Sequence, residues 1–184
     1  MKLLVYGSRE YAGLVRDHLL LCGHEFCGFI DDESTGPSIL GTYETVLRTH
    51  PPTGFGLALG IGYKNLAARR VVLDKLGRDG WRMPSLIHPR AWVRDPDAIG
   101  SGGVIMAMAA VELNAIIEPG CVLWSNVVVS HDSRVGSNTF LSPGTIVCGF
   151  ARIGRDCFVG AGALVVDHAS VADGAFVRAG KVCR

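Results

Sequence analysis

The sequence lacks the features that would assign it to a membrane, a nucleic acid or a secretory route. No uncharged apolar run reaches the length of about 18 residues that a transmembrane helix needs. Lys and Arg number 18 against 17 Asp and Glu, so there is no basic excess for binding phosphate backbones. The apolar stretch after Met1 is too short for a signal peptide, and Arg9 and Glu10 interrupt it. We therefore expect a cytoplasmic protein without a nucleic-acid or membrane partner.

The sequence also lacks the spacings typical of disulfide-rich or metal-binding proteins. It has six cysteines but no CxxC pair, which favours free thiols in a reducing compartment. The C-terminal half contains only two histidines, His131 and His168, whereas a zinc site of the carbonic-anhydrase type needs three converging imidazoles. We therefore expect no metal cofactor.

An aliphatic residue at every sixth position is what the sequence has in abundance. Starting at Ile99, fourteen successive positions spaced by six carry only Val, Ile or Leu, as far as Val177. In a chain of average composition this outcome has a chance on the order of 10⁻⁸. Thirteen of the fourteen residues four positions further on are small or compact, and Gly or Asn often precedes them. Gly and Asn tolerate the positive φ that a tight corner needs.

This period predicts a parallel β-helix. Each hexad supplies one short strand and one corner, and three hexads close a triangular coil of about 18 residues. The coils stack about 4.8 Å apart, so residues one coil apart form columns, such as Ile105, Leu123 and Leu141. A helix would need apolar residues every three or four positions, and a hairpin sheet would need longer alternating runs. Neither of these alternatives explains an unbroken period of six.

Residues 1–84 alternate strands and helices instead. Strands are predicted at Lys2–Tyr6, Glu25–Ile30 and Gly56–Ile61, and helices at Tyr11–Cys22, Tyr43–Thr49 and Lys64–Leu76. The alternation predicts a small parallel α/β domain of the Rossmann-like type, followed by a second domain at 85–184. Ligands of such sheets bind at the carboxyl ends of the strands. The glycine fingerprint of a dinucleotide site is absent, which argues against a conventional site of that kind.

Several short motifs, in this order and spacing, resemble the PglD/NeuD-like sugar acyltransferases over nearly the whole chain. They are Val5-Tyr6-Gly7-Ser8, Phe29-Ile30-Asp31-Asp32, Leu40-Gly41, Gly60-Ile61-Gly62, Leu86-Ile87-His88-Pro89, Ser130-His131-Asp132 and Gly149-Phe150-Ala151-Arg152-Ile153-Gly154. The resemblance implies a left-handed β-helix of hexapeptide repeats that forms homotrimers, with active sites between adjacent solenoids. It also implies transfer of an acetyl group from acetyl-CoA to the amine of a nucleotide-linked amino-sugar, the 4-amino-4,6-dideoxy type foremost, in polysaccharide or glycan biosynthesis.

The resemblance implies that His131 is the general base and that Asp132 occupies the position of an acid in relatives. An amine must lose a proton as it attacks a thioester, and a His titrates in the range suited to accepting it. A second interpretation of Asp132 is that its side chain faces solvent or another subunit, because adjacent side chains on a strand diverge.

The remaining candidate site residues are also assigned by resemblance. Substrate binding is assigned to Gly7, Ser8, Arg9, Asp31, Asp32, Gly60, Gly62 and Trp124, and the acyl-CoA to Phe140, Gly144, Gly149, Ala161 and Ala179. Backbone N–H groups in the second set are candidates for stabilising the oxyanion. Three positions depart from the family pattern: Arg9 begins the run Arg9-Glu10-Tyr11 where relatives often have Gly-Gly-His, Trp124 stands where many have Asn, and Phe140 where relatives often have a second His.

Two other functions fit the same sequence. The first is an O-acetyltransferase acting on a sialic-acid-like sugar, which would use the same base, His131. The second is a non-catalytic trimeric sugar-nucleotide-binding protein, which the changes at Trp124 and Phe140 favour. Activity assays with amino- and hydroxy-sugars separate these functions.

Overall fold

The computed structural model describes the whole chain, Met1–Arg184, which divides into two compact units. The first unit is Met1–Pro84 and the second is Ser85–Arg184. None of the helices combines the length and apolar character needed to cross a bilayer.

The first unit contains a small parallel sheet with three helices. Its strands are β1 (Lys2–Tyr6), β2 (Glu25–Ile30) and β3 (Gly56–Leu59), in the order β2-β1-β3, and its helices are α1 (Glu10–Leu21), α2 (Tyr43–Thr49) and α3 (Leu66–Arg78). Both strand pairs are parallel, as the βαβ pattern predicts. Leu4, Leu57 and Leu76 are among the buried residues of its core.

Three predicted elements in this unit had boundaries that were wrong by one or two residues. Strand β3 ends at Leu59, two residues early, because Gly60 starts the loop that packs against β1. Helix α3 begins at Leu66, because the Asn65 side chain accepts a hydrogen bond from the Ala68 amide and caps it there. Helix α1 begins at Glu10 and ends at Leu21, one residue ahead of the prediction at each end.

The second unit is a parallel β-solenoid made of strands of two residues each. They are β4 (Leu86–Ile87), β5 (Trp92–Val93), β6 (Val104–Ile105), β7 (Ala110–Val111), β8 (Ile116–Ile117), β9 (Val122–Leu123), β10 (Val128–Val129), β11 (Arg134–Val135), β12 (Phe140–Leu141), β13 (Ile146–Val147), β14 (Arg152–Ile153), β15 (Phe158–Val159), β16 (Leu164–Val165), β17 (Ser170–Val171), β18 (Phe176–Val177) and β19 (Val182–Cys183). The strands pair in parallel with those one coil away, for example Val129 with Val147. The predicted columns are thereby confirmed, while left-handed coiling stays a prediction.

The solenoid has three faces, each a parallel sheet, which we number in the order in which their first strands occur along the chain. The first face contains β4, β6, β9, β12, β15 and β18, the second contains β5, β7, β10, β13, β16 and β19, and the third contains β8, β11, β14 and β17. Three corners join them in turn along the chain. The first corner follows the first face and includes Trp124, the second follows the second face and includes His131, and the third follows the third face and includes Asn138.

The predicted six-residue repeat lines the interior of the solenoid. Of the fourteen aliphatic residues from Ile99 to Val177, thirteen are buried and Val171 is half-buried. Burying such a side chain stabilises the fold by roughly 1.5–3 kcal/mol. The compact residues four positions on are mostly buried as well, since they lie under the corners. Buried polar members are hydrogen-bonded: the Thr139 hydroxyl donates to the Gly154 carbonyl at 2.8 Å.

Each corner depends on one residue with positive φ. Gly and Asn fill most of these positions, but Met108, Asp132, Phe150, Asp156 and His168 also adopt φ between 56° and 61°. For a residue with a Cβ atom this conformation costs roughly 1–2 kcal/mol, and less for Asn or Asp. Met108 lies at the first corner, in the same column as Asn126.

The pair Met108 and Asn126 gives a direct test of this corner geometry. Met108→Asn should raise the free energy of unfolding by about 1 kcal/mol, because Asn tolerates positive φ. Asn126→Met is the reverse control and should lower it by a similar amount. Urea denaturation followed by circular dichroism measures both changes. If the free energy of unfolding changed in the same direction in both variants, the strain assigned to this corner would be contradicted.

Candidate active site

The second corner brings His131 and Asp132 together. Asp132 adopts φ 56°, so the chain turns at this residue instead of continuing as a strand. The His131 Nδ1 atom lies 3.0 Å from the Asp132 Oδ2 atom. The two neighbouring side chains therefore converge, because the rule of diverging neighbours applies only within a strand. The Asp132 side chain is also 35% exposed, and its contact with another subunit stays a prediction.

Two residues of the preceding coil hold this pair in place. The Asn114 side-chain amide donates to Asp132 Oδ1 at 2.9 Å, and the Glu112 carboxylate accepts from the His131 backbone amide at 3.0 Å. Hydrogen bonds from Asn114 and from His131 hold the pKa of Asp132 below its usual range. An ionised Asp132 favours the tautomer with a proton on Nδ1, which leaves the lone pair on Nε2.

The imidazole of His131 lies over Gly149, one coil further along the same column. A Cβ atom at residue 149 would lie 2.8 Å from His131 Cε1 and 2.9 Å from Nε2, so only glycine leaves room for the ring. The Phe150 ring meets the imidazole edge to face at a centroid distance of 5.3 Å. The His131 side chain is nevertheless 52% exposed, so part of the ring faces solvent.

The backbone amides of the candidate CoA residues differ in availability. The Gly144 amide donates to the Ser125 carbonyl at 3.1 Å, so it is not free for an oxyanion. The amides of Gly149, Ala161 and Ala179 donate no hydrogen bond within the chain. Of these three, only Gly149 lies at the second corner beside His131.

The other solenoid candidates lie around the first corner. Trp124, Gly144, Ala161 and Ala179 belong to this corner, and Phe140 precedes it on the first face. Phe140 is only 3% exposed and packs against Trp124 and Phe158. The Trp124 Nε1 atom is buried and has no hydrogen-bond partner. A single solenoid therefore separates these residues from His131 by the width of the second face.

The candidate residues of the first unit gather at the carboxyl end of its sheet. Gly7 adopts φ 104° and packs against Gly60, where a Cβ atom would approach the Gly60 carbonyl oxygen to 3.0 Å. Gly62 lies against Tyr11. Arg9 forms an exposed ion pair with Glu33 at 3.1 Å.

The acidic pair after β2 is engaged in hydrogen bonds of its own. Asp31 accepts from the Ser8 hydroxyl and from two backbone amides, and Asp32 accepts from the Tyr6 hydroxyl and the Tyr43 amide. Burial alone would raise the pKa of Asp31, but these hydrogen bonds lower it overall. Burial, reinforced by the hydrogen bond to Asp32, raises the pKa of Tyr6. Both carboxylates therefore order the loop that a ligand would meet.

The sequence prediction missed several residues of the second corner. They are Glu112, Asn114, Phe150, Asp167 and His168. The repeat contained the signal for most of them, because Asn114, Phe150 and His168 share the column of Asp132, and Asp167 shares that of His131. The contact of Glu112 with the His131 backbone, in contrast, crosses from one column to another.

The fold is similar to those of known proteins. No family model matches the sequence. Among solved structures, the acetyltransferase domain of PglB from Neisseria gonorrhoeae in complex with acetyl coenzyme A is 30% identical, over 97% of this chain and 88% of that chain, with a TM-score of 0.88. PerB from Caulobacter crescentus, in complex with CoA and GDP-perosamine, is 26% identical over 99% of this chain and 88% of that chain, also with a TM-score of 0.88.

The fold and the likeness to these enzymes define the class of the chain as a hexapeptide-repeat sugar acyltransferase. The chain belongs to the PglD/NeuD-like family of sugar acyltransferases.

Proposed function

We propose that the protein transfers an acetyl group from acetyl-CoA to the amine of a nucleotide-linked amino-sugar, with the 4-amino-4,6-dideoxy type as the acceptor. The hydrogen bond between His131 and Asp132, beside the free amide of Gly149, is the observation that carries this proposal. The ligands of the two relatives, acetyl coenzyme A for PglB and GDP-perosamine for PerB, support the choice of donor and acceptor.

The chemical step needs one base and one oxyanion donor. The lone pair of the acceptor nitrogen attacks the thioester carbonyl carbon, and the nitrogen loses a proton to His131 Nε2. The oxyanion accepts a hydrogen bond from the Gly149 amide as the tetrahedral intermediate forms. The C–S bond then breaks, His131 returns its proton to the departing sulfur, and the products are an N-acetylated sugar and CoA. Asp132 orients the imidazole and stabilises the imidazolium.

The outer surfaces of the solenoid support a homotrimer. The outward residues of the second face are all apolar: Trp92, Ala110, Val128, Ile146, Leu164 and Val182. The third face presents Arg134, Arg152 and Ser170 beside a single Ile116. An exposed apolar stripe of this length is typical of an interface. We therefore assign the subunit contact to the second face.

A trimer built on the second face would complete the site. Its two edges are the first corner with Trp124 and the second corner with His131. A cyclic trimer joins unlike patches, so the Trp124 edge of one copy would meet the His131 edge of the next. The acyl-CoA would then run along Gly144, Ala161 and Ala179 of one copy towards Gly149 of its neighbour. The buried Phe140 would not contact it, but would support Trp124.

In this proposal the first unit binds the nucleotide of the acceptor. Gly7, Gly60 and Gly62 let the loops at the carboxyl end of the sheet pack closely, and a pyrophosphate would bind beside these loops. Arg9 supplies donors to it, whereas the Ser8 hydroxyl already donates to Asp31. Asp31 and Asp32 order the loop and take up ribose hydroxyls with their remaining lone pairs. The Rossmann-like class of this unit and a cytoplasmic location are parts of the same proposal, and the six free cysteines fit a reducing compartment.

Replacing the base tests the proposed function. His131→Ala should lower kcat for an amino-sugar acceptor by about 10²–10⁴-fold, the usual value of a general base. Thiol release from acetyl-CoA, measured with UDP-, GDP- and dTDP-linked 4-amino-sugars, follows the reaction. His50→Ala, in the first unit, is the matched control and should retain activity. Undiminished transfer by the His131 variant would contradict the mechanism.

Two isoleucines of nearly equal exposure test the subunit contact. Ile146 on the second face is 42% exposed and Ile116 on the third face is 43% exposed. Ile146→Lys should convert the trimer to monomers, because a buried lysine loses its hydration without gaining a partner. Ile116→Lys should leave the trimer intact. Sedimentation velocity measures the oligomeric state of both variants. If only the Ile116 variant dissociated, the assignment of the subunit contact to the second face would be refuted.

A further inference from the structure

Asp167 and His131 approach the same point on the solenoid from opposite sides. Residues 131, 149 and 167 occupy one column of the second corner, one coil apart. A Cβ atom on Gly149 would lie 2.9 Å from His131 Nε2 and 3.3 Å from Asp167 Oδ1. A Cβ atom would not fit there, so the imidazole and the carboxylate both lie against the bare backbone of Gly149, within about 6 Å of each other.

Carboxylates dominate the charge around His131. Asp132 is bound to His131 Nδ1, Glu112 is bound to the His131 backbone, and Asp167 faces Nε2 across Gly149. A further titratable group, His168, lies 3.5 Å from the second oxygen of Asp167 and stacks on Phe150. No Lys or Arg forms an ion pair with Asp167, and its side chain is 62% exposed. Its charge therefore acts on whatever binds beside Nε2.

We propose that Asp167 is a specificity-determining residue that selects an amine acceptor over a hydroxyl. The inference rests on the proposed function, since it takes His131 Nε2 as the base and adds a second group at the same site. A base must lie within hydrogen-bond reach of the proton it removes. An acceptor nitrogen at Nε2 therefore lies within the electrostatic influence of the Asp167 carboxylate, which is close to Nε2 over Gly149.

The charge of the acceptor explains why a carboxylate would discriminate. A sugar amine, like the α-amino group of a peptide, is protonated over part of the neutral pH range, whereas a hydroxyl is neutral. Asp167 attracts the ammonium form, which loses one proton to water before it reacts. The nitrogen becomes positive again as the N–C bond forms, until His131 removes the second proton. A nearby carboxylate favours both cationic states.

The test compares wild type with Asp167→Asn, which removes the charge and keeps the shape. The kcat/KM for the 4-amino-sugar nucleotide should fall by roughly fivefold, which corresponds to one unit-charge interaction in a largely solvated site. The Kd of the matching 4-hydroxy-sugar nucleotide, measured by calorimetry, should not change. The difference between wild type and variant should shrink at 1 M salt, because screening weakens the attraction.

Two further variants separate the charge from structural effects. Asp167→Glu keeps the carboxylate and should retain most of the preference for the amine. Asp173→Asn removes the same charge at the third corner, where Asp173 pairs with Arg155, and should leave kcat/KM unchanged. The inference would be overturned if Asp167→Asn weakened kcat/KM for the amino ligand and binding of the hydroxy ligand by the same factor. It would also be overturned if the variant weakened neither.

The outcomes also separate this inference from the proposed function. If wild type acetylates the 4-amino-sugar and His131→Ala does not, the proposed function holds and the Asp167 variants decide the inference alone. If wild type acetylates the 4-hydroxy-sugar nucleotide as fast as the amino one, the selectivity assigned to Asp167 is refuted. The role of His131 as the general base is not affected by that result. If wild type acetylates neither, both proposals fail.

Discussion

The six-residue spacing of inward-facing aliphatic residues is the constraint on which the rest of the solenoid depends. Because the period never shifts, every coil has the same length and each residue lies directly over the residue one coil earlier. A slip of one residue would turn an aliphatic column out into solvent. The repeat therefore also determines which side chains share a corner. Gly149 and Asp167 lie near His131 because all three occupy one column.

The corners turn this regularity into a site. A residue with positive φ directs its side chain away from the path of a strand, and at the second corner that residue is Asp132. Its carboxylate reaches the neighbouring imidazole, and Asn114 of the preceding coil holds its second oxygen. In the same column Phe150 and His168 take up the same strained conformation and stack on each other. Gly or Asn would adopt positive φ at a lower free-energy cost. Backbone strain of this kind is typical of functional sites.

Much of the architecture could be predicted because it depends on periodicity, which a single sequence displays. The columns, the small residues under the corners and the strands of the first unit follow from spacing alone. Side-chain direction at the corners could not be predicted, since it depends on φ at one residue. The availability of the Gly144 amide and the burial of Phe140 depend on contacts between coils. Strand β3 and helix α3 were misplaced because a glycine contact and an Asn65 cap decide where they end and begin.

The central claim is that the second corner is where the acetyl group is transferred. A crystal structure of the protein with acetyl-CoA tests it most directly. The account predicts that the thioester carbonyl oxygen accepts a hydrogen bond from the Gly149 amide, with His131 Nε2 facing the space beside the carbonyl carbon. A thioester bound elsewhere on the solenoid, with the Gly149 amide still free and His131 facing solvent, would contradict it.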